Sequence, residues 1–87
     1  RAESLVGSIY ANKFFFSCAS LRKKIGTFEL SPFSASIKRK MLLNSSTKIL
    51  LVDNSKFDVI APFKMAEIDE IDRVITEDRD FLPSEVI

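Results

Sequence analysis

Apolar residues fall into blocks along the chain, and their spacing changes from one block to the next. Two blocks are continuous and rich in β-forming residues, "KFFFSCA" at 13–19 and "KILLVD" at 48–53, which is typical of buried strands. Between them, Ser31 and Pro32 suit the start of a helix, and the apolar residues that follow recur at helical spacing. This pattern predicts a helix over 31–45.

The remaining blocks are shorter. Residues 2–11 predict an amphipathic helix, whereas residues 20–30, with three consecutive cations, predict a long loop. After the second strand, the pattern predicts a brief edge strand at 59–63, a helical turn at 66–72 and a third core strand at 73–76. A strand, a helix and a strand in this order close as a parallel crossover. The predicted fold class is therefore α/β, with a mostly parallel, Rossmann-like sheet and flanking helices.

Composition narrows the class of protein. With 87 residues, 46% of them apolar, the chain is at most one small globular domain. No stretch approaches the length of a membrane span, so we expect no membrane partner. The single cysteine suits a reducing, cytoplasmic setting. Histidine is absent, which excludes His-based acid–base chemistry and Cys/His zinc sites within the chain, and no cofactor is expected.

Charge is divided unevenly along the chain. Residues 1–48 carry nine Lys/Arg against two Glu, a net charge of +7, and residues 49–87 carry four against ten Asp/Glu, a net charge of −6. A basic half is compatible with a nucleic-acid surface. No aromatic ladder separates the two basic clusters, at 22–24 and 38–40, so pairing between the halves or a solvated loop is the favoured interpretation.

Polar residues follow both predicted core strands. Asp53 ends the second strand and is followed by Ser55 and Lys56, while Ser17 and Cys18 lie at the same end of the first strand. Ligands of open parallel sheets bind in the crevice beyond the carboxyl ends of the strands, where a lysine and hydroxyl groups can meet a phosphate or a sugar. The alternative is a strand-ending turn in which the Asp53 carboxylate only caps backbone N–H groups.

Three motifs occur in order from residue 37 onwards: "IKRKM" at 37–41, "DNSKF" at 53–57 and "DEIDRVITED" at 69–78. In this order they resemble the closing segment of the sugar-phosphate sensor domain of DeoR-type transcriptional repressors. The upstream segment "FFFSCASLRKKIGTFEL" resembles the family more loosely, and Ala19 replaces an aspartate that the family often carries. The resemblance extends over nearly the whole chain from about Lys13.

The resemblance implies a fold like that of ribose-5-phosphate isomerase and a non-enzymatic sensor that binds a phosphorylated sugar. It implies that residues 1–87 form the C-terminal part of this sensor domain, and that DNA is bound only through a winged helix-turn-helix missing from the chain. Carried over by position, Asp53, Ser55 and Lys56 line the effector site, with Ser17 and Cys18 beside it.

Two other functions remain open from the sequence: a fragment of a sugar-phosphate isomerase-like enzyme, and a structural module without a ligand.

A partial parallel sheet would also leave one strand edge without a neighbour. We therefore expect a homo-oligomer, most simply a two-fold dimer, with either the core or the contact formed mainly by Phe14, Phe15, Phe16, Leu50 and Leu51.

Overall fold

The computed structural model describes residues 10–57, 59–76 and 80–81, with only the backbone described for the last two. Within these residues one helix, seven strands and two single 3-10 turns follow one another. The strands are β1 (Ala11–Phe16), β2 (Ser20–Arg22), β3 (Gly26–Glu29), β4 (Ser45–Leu51), β5 (Phe63–Glu67), β6 (Arg73–Ile75) and β7 (Asp80–Phe81). Helix α1 is Pro32–Leu43, and the 3-10 turns are Asn54–Lys56 and Ile68–Glu70.

The strands form two sheets. The first has the order β1-β4-β6-β7, in which β4 pairs in parallel with both β1 and β6, and β7 runs antiparallel to β6. The second is antiparallel, with β3 between β2 and β5. The fold is therefore mixed α/β, which confirms the predicted class. The antiparallel sheet is an addition that the apolar pattern did not predict.

Helix α1 contacts strands of both sheets, and the core is formed where the helix packs on them. It begins where the sequence predicts, because the Ser31 hydroxyl accepts a hydrogen bond of 3.0 Å from the Ser34 N–H and Pro32 occupies its first turn. The core unites residues of α1, of both sheets and of the connecting segments: Phe14, Phe16, Cys18, Leu21, Ala35, Leu42, Leu50, Val52, Met65, Ala66, Ile71 and Val74.

The predicted long loop at 20–30 is wrong, because strands β2 and β3 form a hairpin there. The Ile25 N–H donates to the Arg22 carbonyl over 3.0 Å, and Lys24 adopts a positive φ of 65° at the tip. The Arg22 guanidinium lies 5.5 Å from the centre of the Phe28 ring. Of the three cations that suggested a loop, Lys23 and Lys24 lie in the turn of the hairpin, and Arg22, the last residue of β2, packs on its own sheet.

Several boundaries also differ from the predictions, and among them β1 ends at Phe16 and α1 ends at Leu43. The edge strand predicted at 59–63 is wrong, since β5 begins at Phe63 and follows Pro62, whose ring cannot donate to a sheet. Strand β4 ends at Leu51, so Asp53 lies beyond the strand instead of ending it. The helix predicted at 2–11 falls mostly outside the described residues, and its last residue already belongs to β1.

The two faces of the parallel sheet differ in burial. Phe14, Phe16 and Leu50 are buried in the core, and the rings of the two phenylalanines stack with centroids 4.9 Å apart. Phe15 and Leu51 are exposed, because successive side chains of a strand point to opposite faces. The five apolar residues therefore divide between the core and an open face. Self-association through that face or its edge stays a prediction.

An ion pair connects α1 to the 3-10 turn before β6. The Arg39 guanidinium donates to both carboxylate oxygens of Glu70, one bond measuring 2.8 Å, and it also donates to the Met65 carbonyl over 3.2 Å. A Glu70 oxygen accepts in addition from the Glu67 N–H, over 2.9 Å. The bidentate geometry and the shared acceptor make this pair more ordered than a typical surface ion pair.

We expect Glu70 to make the free energy of unfolding depend on pH. The hydrogen bond from Arg39 lowers the pKa of the Glu70 carboxyl below its ordinary value. The stabilisation is therefore complete above the unfolded pKa, about 4.3, and is lost as the pH falls through the folded value. Because both side chains are partly exposed, Glu70→Gln should cost about 1 kcal/mol at pH 7, and the difference from wild type should shrink as the pH falls below about 4.3.

Urea unfolding of the wild type and Glu70→Gln between pH 7 and pH 3 measures this difference. The matched control is Asp69→Asn in the same 3-10 turn, because the Asp69 side chain is exposed. A gap between wild type and Glu70→Gln that is the same at both ends of the pH range would contradict the assignment.

Candidate functional site

The candidate site lies at the carboxyl ends of strands β1 and β4. These strands are parallel neighbours, with Phe16 paired to Leu50 near the end of both. Ser17 and Cys18 follow β1, and the turn that contains Asp53 follows β4, so the fold brings both predicted segments to the same edge of the sheet. This position matches the crevice in which open parallel sheets bind ligands.

The turn after β4 is organised by Asp53. Its carboxylate accepts hydrogen bonds from the Ser55 N–H, over 2.9 Å, and from the Ser55 hydroxyl, and the Lys56 N–H donates to the Asp53 carbonyl over 3.1 Å. The hydroxyl of Ser55 is the main cause of a lowered pKa of the Asp53 carboxyl, followed by the Ser55 N–H and the charge of Lys56. Asp53 is fully ionised at neutral pH, and it acts first as the cap of the turn.

Cys18 is buried at the end of β1, beside the exposed Ser17. Burial is the main cause that raises the pKa of the Cys18 thiol to about 12, and the charge of Glu29 adds to it. The positive charges of Lys38 and Lys56 act on the thiol in the opposite direction. The thiol is therefore neutral at physiological pH and unsuited to act as a nucleophile.

Lys56 is half-buried in the 3-10 turn after β4. This turn follows β4, the parallel neighbour of β1, so Lys56 lies at the same end of the sheet as Ser17 and Cys18. The structure thus brings Lys56 towards the Ser17–Cys18 segment. Asp53 and Ser55 stand in the same turn, where they are hydrogen-bonded to each other.

Two residues at this sheet end were missed by the sequence analysis. The Lys38 ammonium of α1 donates to the Ser17 carbonyl over 2.9 Å and lies 3.2 Å from a carboxylate oxygen of Glu29, the last residue of β3. Glu29 is almost completely buried. The sequence analysis placed Glu29 in a loop and Lys38 in a basic cluster of the predicted helix. The one available signal was that Glu29 is one of only two acidic residues among the first 48.

The basic clusters are largely engaged within the chain. Lys23 lies with its ammonium 6.0 Å from the centre of the Phe57 ring, and Arg22 lies over Phe28. Lys38 and Arg39 form ion pairs with Glu29 and Glu70 respectively. Outside the basic clusters, Lys64 forms an ion pair with Glu67. Of these three ion pairs, only Arg39–Glu70 joins the basic half of the chain to the acidic half.

Other kinds of site find less support in the described part of the chain. An open groove of about 360 Å³ is lined by Arg39, Lys64, Met65, Ala66 and Glu67, and it includes none of the residues at the sheet end. Among residues 10–57, 59–76 and 80–81, no three His, Cys, Asp or Glu side chains are grouped so as to hold a metal ion. No helix in these same ranges is both long enough and apolar enough to cross a membrane.

Comparison with known proteins identifies similar sequences. A family model described as the DeoR C terminal sensor domain matches residues 1–78. The chain is 30% identical over 76 residues to the L-fucose operon activator of Haemophilus influenzae and 25% identical over the same length to that of Escherichia coli K12. It is 26% identical to a putative sgc region transcriptional regulator of Escherichia coli K12. Each alignment covers 87% of this chain but only 29–31% of the relative, so the chain spans about three tenths of these proteins.

Proposed function

Because the chain belongs to the family of DeoR C-terminal sensor domains, we propose that its sheet-end site binds a phosphorylated sugar and thereby controls DNA binding by another part of the protein. The relatives are named as operon activators and regulators, which supports a sensor of a transcriptional regulator. Two of them are activators of an operon named for a sugar, L-fucose, and this supports a sugar-derived effector.

One observation carries the proposal: the parallel pairing of β1 and β4 sets the Asp53–Lys56 turn beside Ser17 and Cys18. The ammonium of Lys56 offers a point charge for a phosphate. The hydroxyl of Ser17 is exposed, and the hydroxyl of Ser55, which donates to Asp53, keeps its capacity to accept a hydrogen bond. We assign Asp53 to holding the turn that presents Lys56 and Ser55, with Cys18 as the apolar floor of the site.

A regulatory role without catalysis fits the chemistry of these groups. The Asp53 carboxylate is engaged by Ser55, so it is poorly placed to abstract a proton from a sugar. The Cys18 thiol stays protonated because burial raises its pKa to about 12. We therefore favour a sensor over an isomerase-like enzyme. As part of the same proposal, the protein acts on DNA in the cytoplasm, through a separate domain, and as a homo-oligomer.

Replacing Lys56 should separate ligand binding from folding. In the intact protein, we expect Lys56→Ala to weaken binding of a sugar phosphate about tenfold or more, because a charge-assisted contact to the phosphate is lost. Its free energy of unfolding should change by less than about 0.5 kcal/mol, since Lys56 is partly exposed in a surface turn. Calorimetric titration with ribose 5-phosphate, glucose 6-phosphate and fructose 1-phosphate measures the affinities.

Lys40→Ala is the matched control, because Lys40 is an exposed lysine in the last turn of α1 and lies outside the site. It should bind the sugar phosphates as the wild type does. The proposal fails if Lys56→Ala binds as tightly as Lys40→Ala, or if none of the three sugar phosphates binds the wild type.

A further inference from the structure

A nearly buried carboxylate lies beside the candidate site without an evident structural need. Glu29 is 5% exposed, and its carboxylate oxygen lies 3.2 Å from the Lys38 ammonium. Lys38 comes from the middle of α1, and its ammonium also donates to the Ser17 carbonyl over 2.9 Å, directly at the end of β1. One lysine therefore connects the hairpin strand β3 to the end of β1, where Ser17 and Cys18 lie.

Stability alone is a weak reason for this pair. Removing two charges from water costs free energy that their attraction often does no more than balance, and apolar residues of similar volume usually stabilise a fold as well. The Lys38 side chain is also 29% exposed, so its ammonium is not sealed inside the protein. An ammonium has three N–H donors, and two of these are directed at Ser17 and Glu29. Because the Lys38 side chain is partly exposed, the third can donate to water or to a ligand.

We propose, building on the sugar-phosphate function proposed above, that Glu29 and Lys38 form the end of the site that recognises sugar hydroxyl groups, while Lys56 forms the end that binds the phosphate. A carboxylate accepts hydrogen bonds from hydroxyl groups, and an ammonium donates to them. As a neutral pair, Glu29 and Lys38 can bind a polyhydroxylated chain without attracting a second anionic group. The effector is accordingly a sugar with one phosphate.

The position of Cys18 is consistent with a site that binds phosphate at Lys56 and sugar hydroxyl groups at the Glu29–Lys38 pair. The Lys38 ammonium reaches the end of β1 through its bond to the Ser17 carbonyl, and Lys56 follows β4, the parallel neighbour of β1, so both lie near the segment that contains Cys18. A ligand that crosses the exposed Ser17 and the floor formed by Cys18 would have Lys56 on one side and the Glu29–Lys38 pair on the other. The two ends of one small molecule can therefore be tested separately.

Calorimetric titration of the intact protein with two probes distinguishes the ends. The probes are inorganic phosphate and whichever of ribose 5-phosphate, glucose 6-phosphate and fructose 1-phosphate binds the wild type most tightly. Glu29→Gln keeps the shape of the side chain but removes its charge, so it should weaken sugar-phosphate binding about tenfold or more and leave phosphate binding within about twofold. Lys56→Ala should weaken the binding of both probes.

Phosphate binding also reports whether Glu29→Gln is folded. If that variant binds neither probe and unfolds, Lys38→Arg replaces it, because arginine keeps the charge but changes the donor geometry, and it should show the same selective loss. Equal effects on the two probes, or none, would assign Glu29 and Lys38 to structure alone and overturn the inference. If the wild type binds inorganic phosphate as tightly as the sugar phosphates, the inference about Glu29 and Lys38 is also overturned, whereas phosphate binding by Lys56 is not contradicted. A wild type that binds no probe contradicts the proposed function itself.

Discussion

Gly26→Ala should be the most destabilising of the single substitutions considered, with a loss of about 3 to 5 kcal/mol in the free energy of unfolding. A Cβ atom at position 26 would lie 2.0 Å from the carbonyl oxygen of Ala66 in β5 and 3.0 Å from its carbonyl carbon. Both atoms belong to the backbone, so no side-chain rotation relieves the clash. Gly26 also has a φ of +156°, which other residues rarely adopt.

Such a loss approaches the whole stability of many small domains, about 5 to 15 kcal/mol. Urea unfolding followed by circular dichroism measures it, with Lys23→Ala as the control. Lys23 is exposed in the same hairpin turn, and its removal should cost about 0.5 kcal/mol or less. Equal unfolding midpoints for Gly26→Ala and the wild type would show that β3 and β5 do not approach each other this closely.

Leu50→Ala should cost about 2 to 5 kcal/mol, because it empties space at the centre of the parallel sheet. Leu50 is 0% exposed, and it is paired with Phe16 of β1 and Val74 of β6. No other residue of the sheet's central strand joins two buried neighbours in this register. The cavity would lie where α1 and the sheet meet, so the neighbouring side chains can fill it only in part.

Leu51→Ala provides a matched control, since the same side chain is removed one position further along the same strand. Leu51 is 41% exposed on the opposite face, and its truncation should cost less than about 1 kcal/mol. Thermal and urea unfolding of the two variants side by side measures the difference. If Leu51→Ala were the more damaging change, β4 would be shifted by one residue relative to its neighbours, because such a shift exchanges the two faces of a strand.

The elements that could be predicted from the sequence are those with a clear pattern of apolar residues or a capping residue within the element itself. Helix α1 has both a capping serine and an apolar face, and β1 and β4 carry continuous apolar blocks. The hairpin of β2 and β3 has no such apolar pattern. Its strands are short and contain charged residues, and its position depends on the close approach of Gly26 to β5, some forty residues later in the chain. This contact joins residues that are distant in the sequence, so no local pattern could predict it.

The candidate site divides in the same way. Asp53, Ser55, Lys56, Ser17 and Cys18 could be predicted to lie near one another, because parallel strands end at a common edge. Glu29 and Lys38 could not. In the sequence, Lys38 is one of three successive cations and is indistinguishable from Lys40. Which of the three faces Ser17 is decided by how α1 packs across both sheets.

The burial of Cys18 has a consequence for how the protein tolerates oxidants. With a thiol pKa of about 12, roughly one molecule in a hundred thousand carries the thiolate at pH 7. Peroxides and disulfides react with thiolates far faster than with thiols, and the surrounding core limits their access to the sulfur. We therefore expect the only sulfhydryl of the chain to react slowly with peroxides and disulfides.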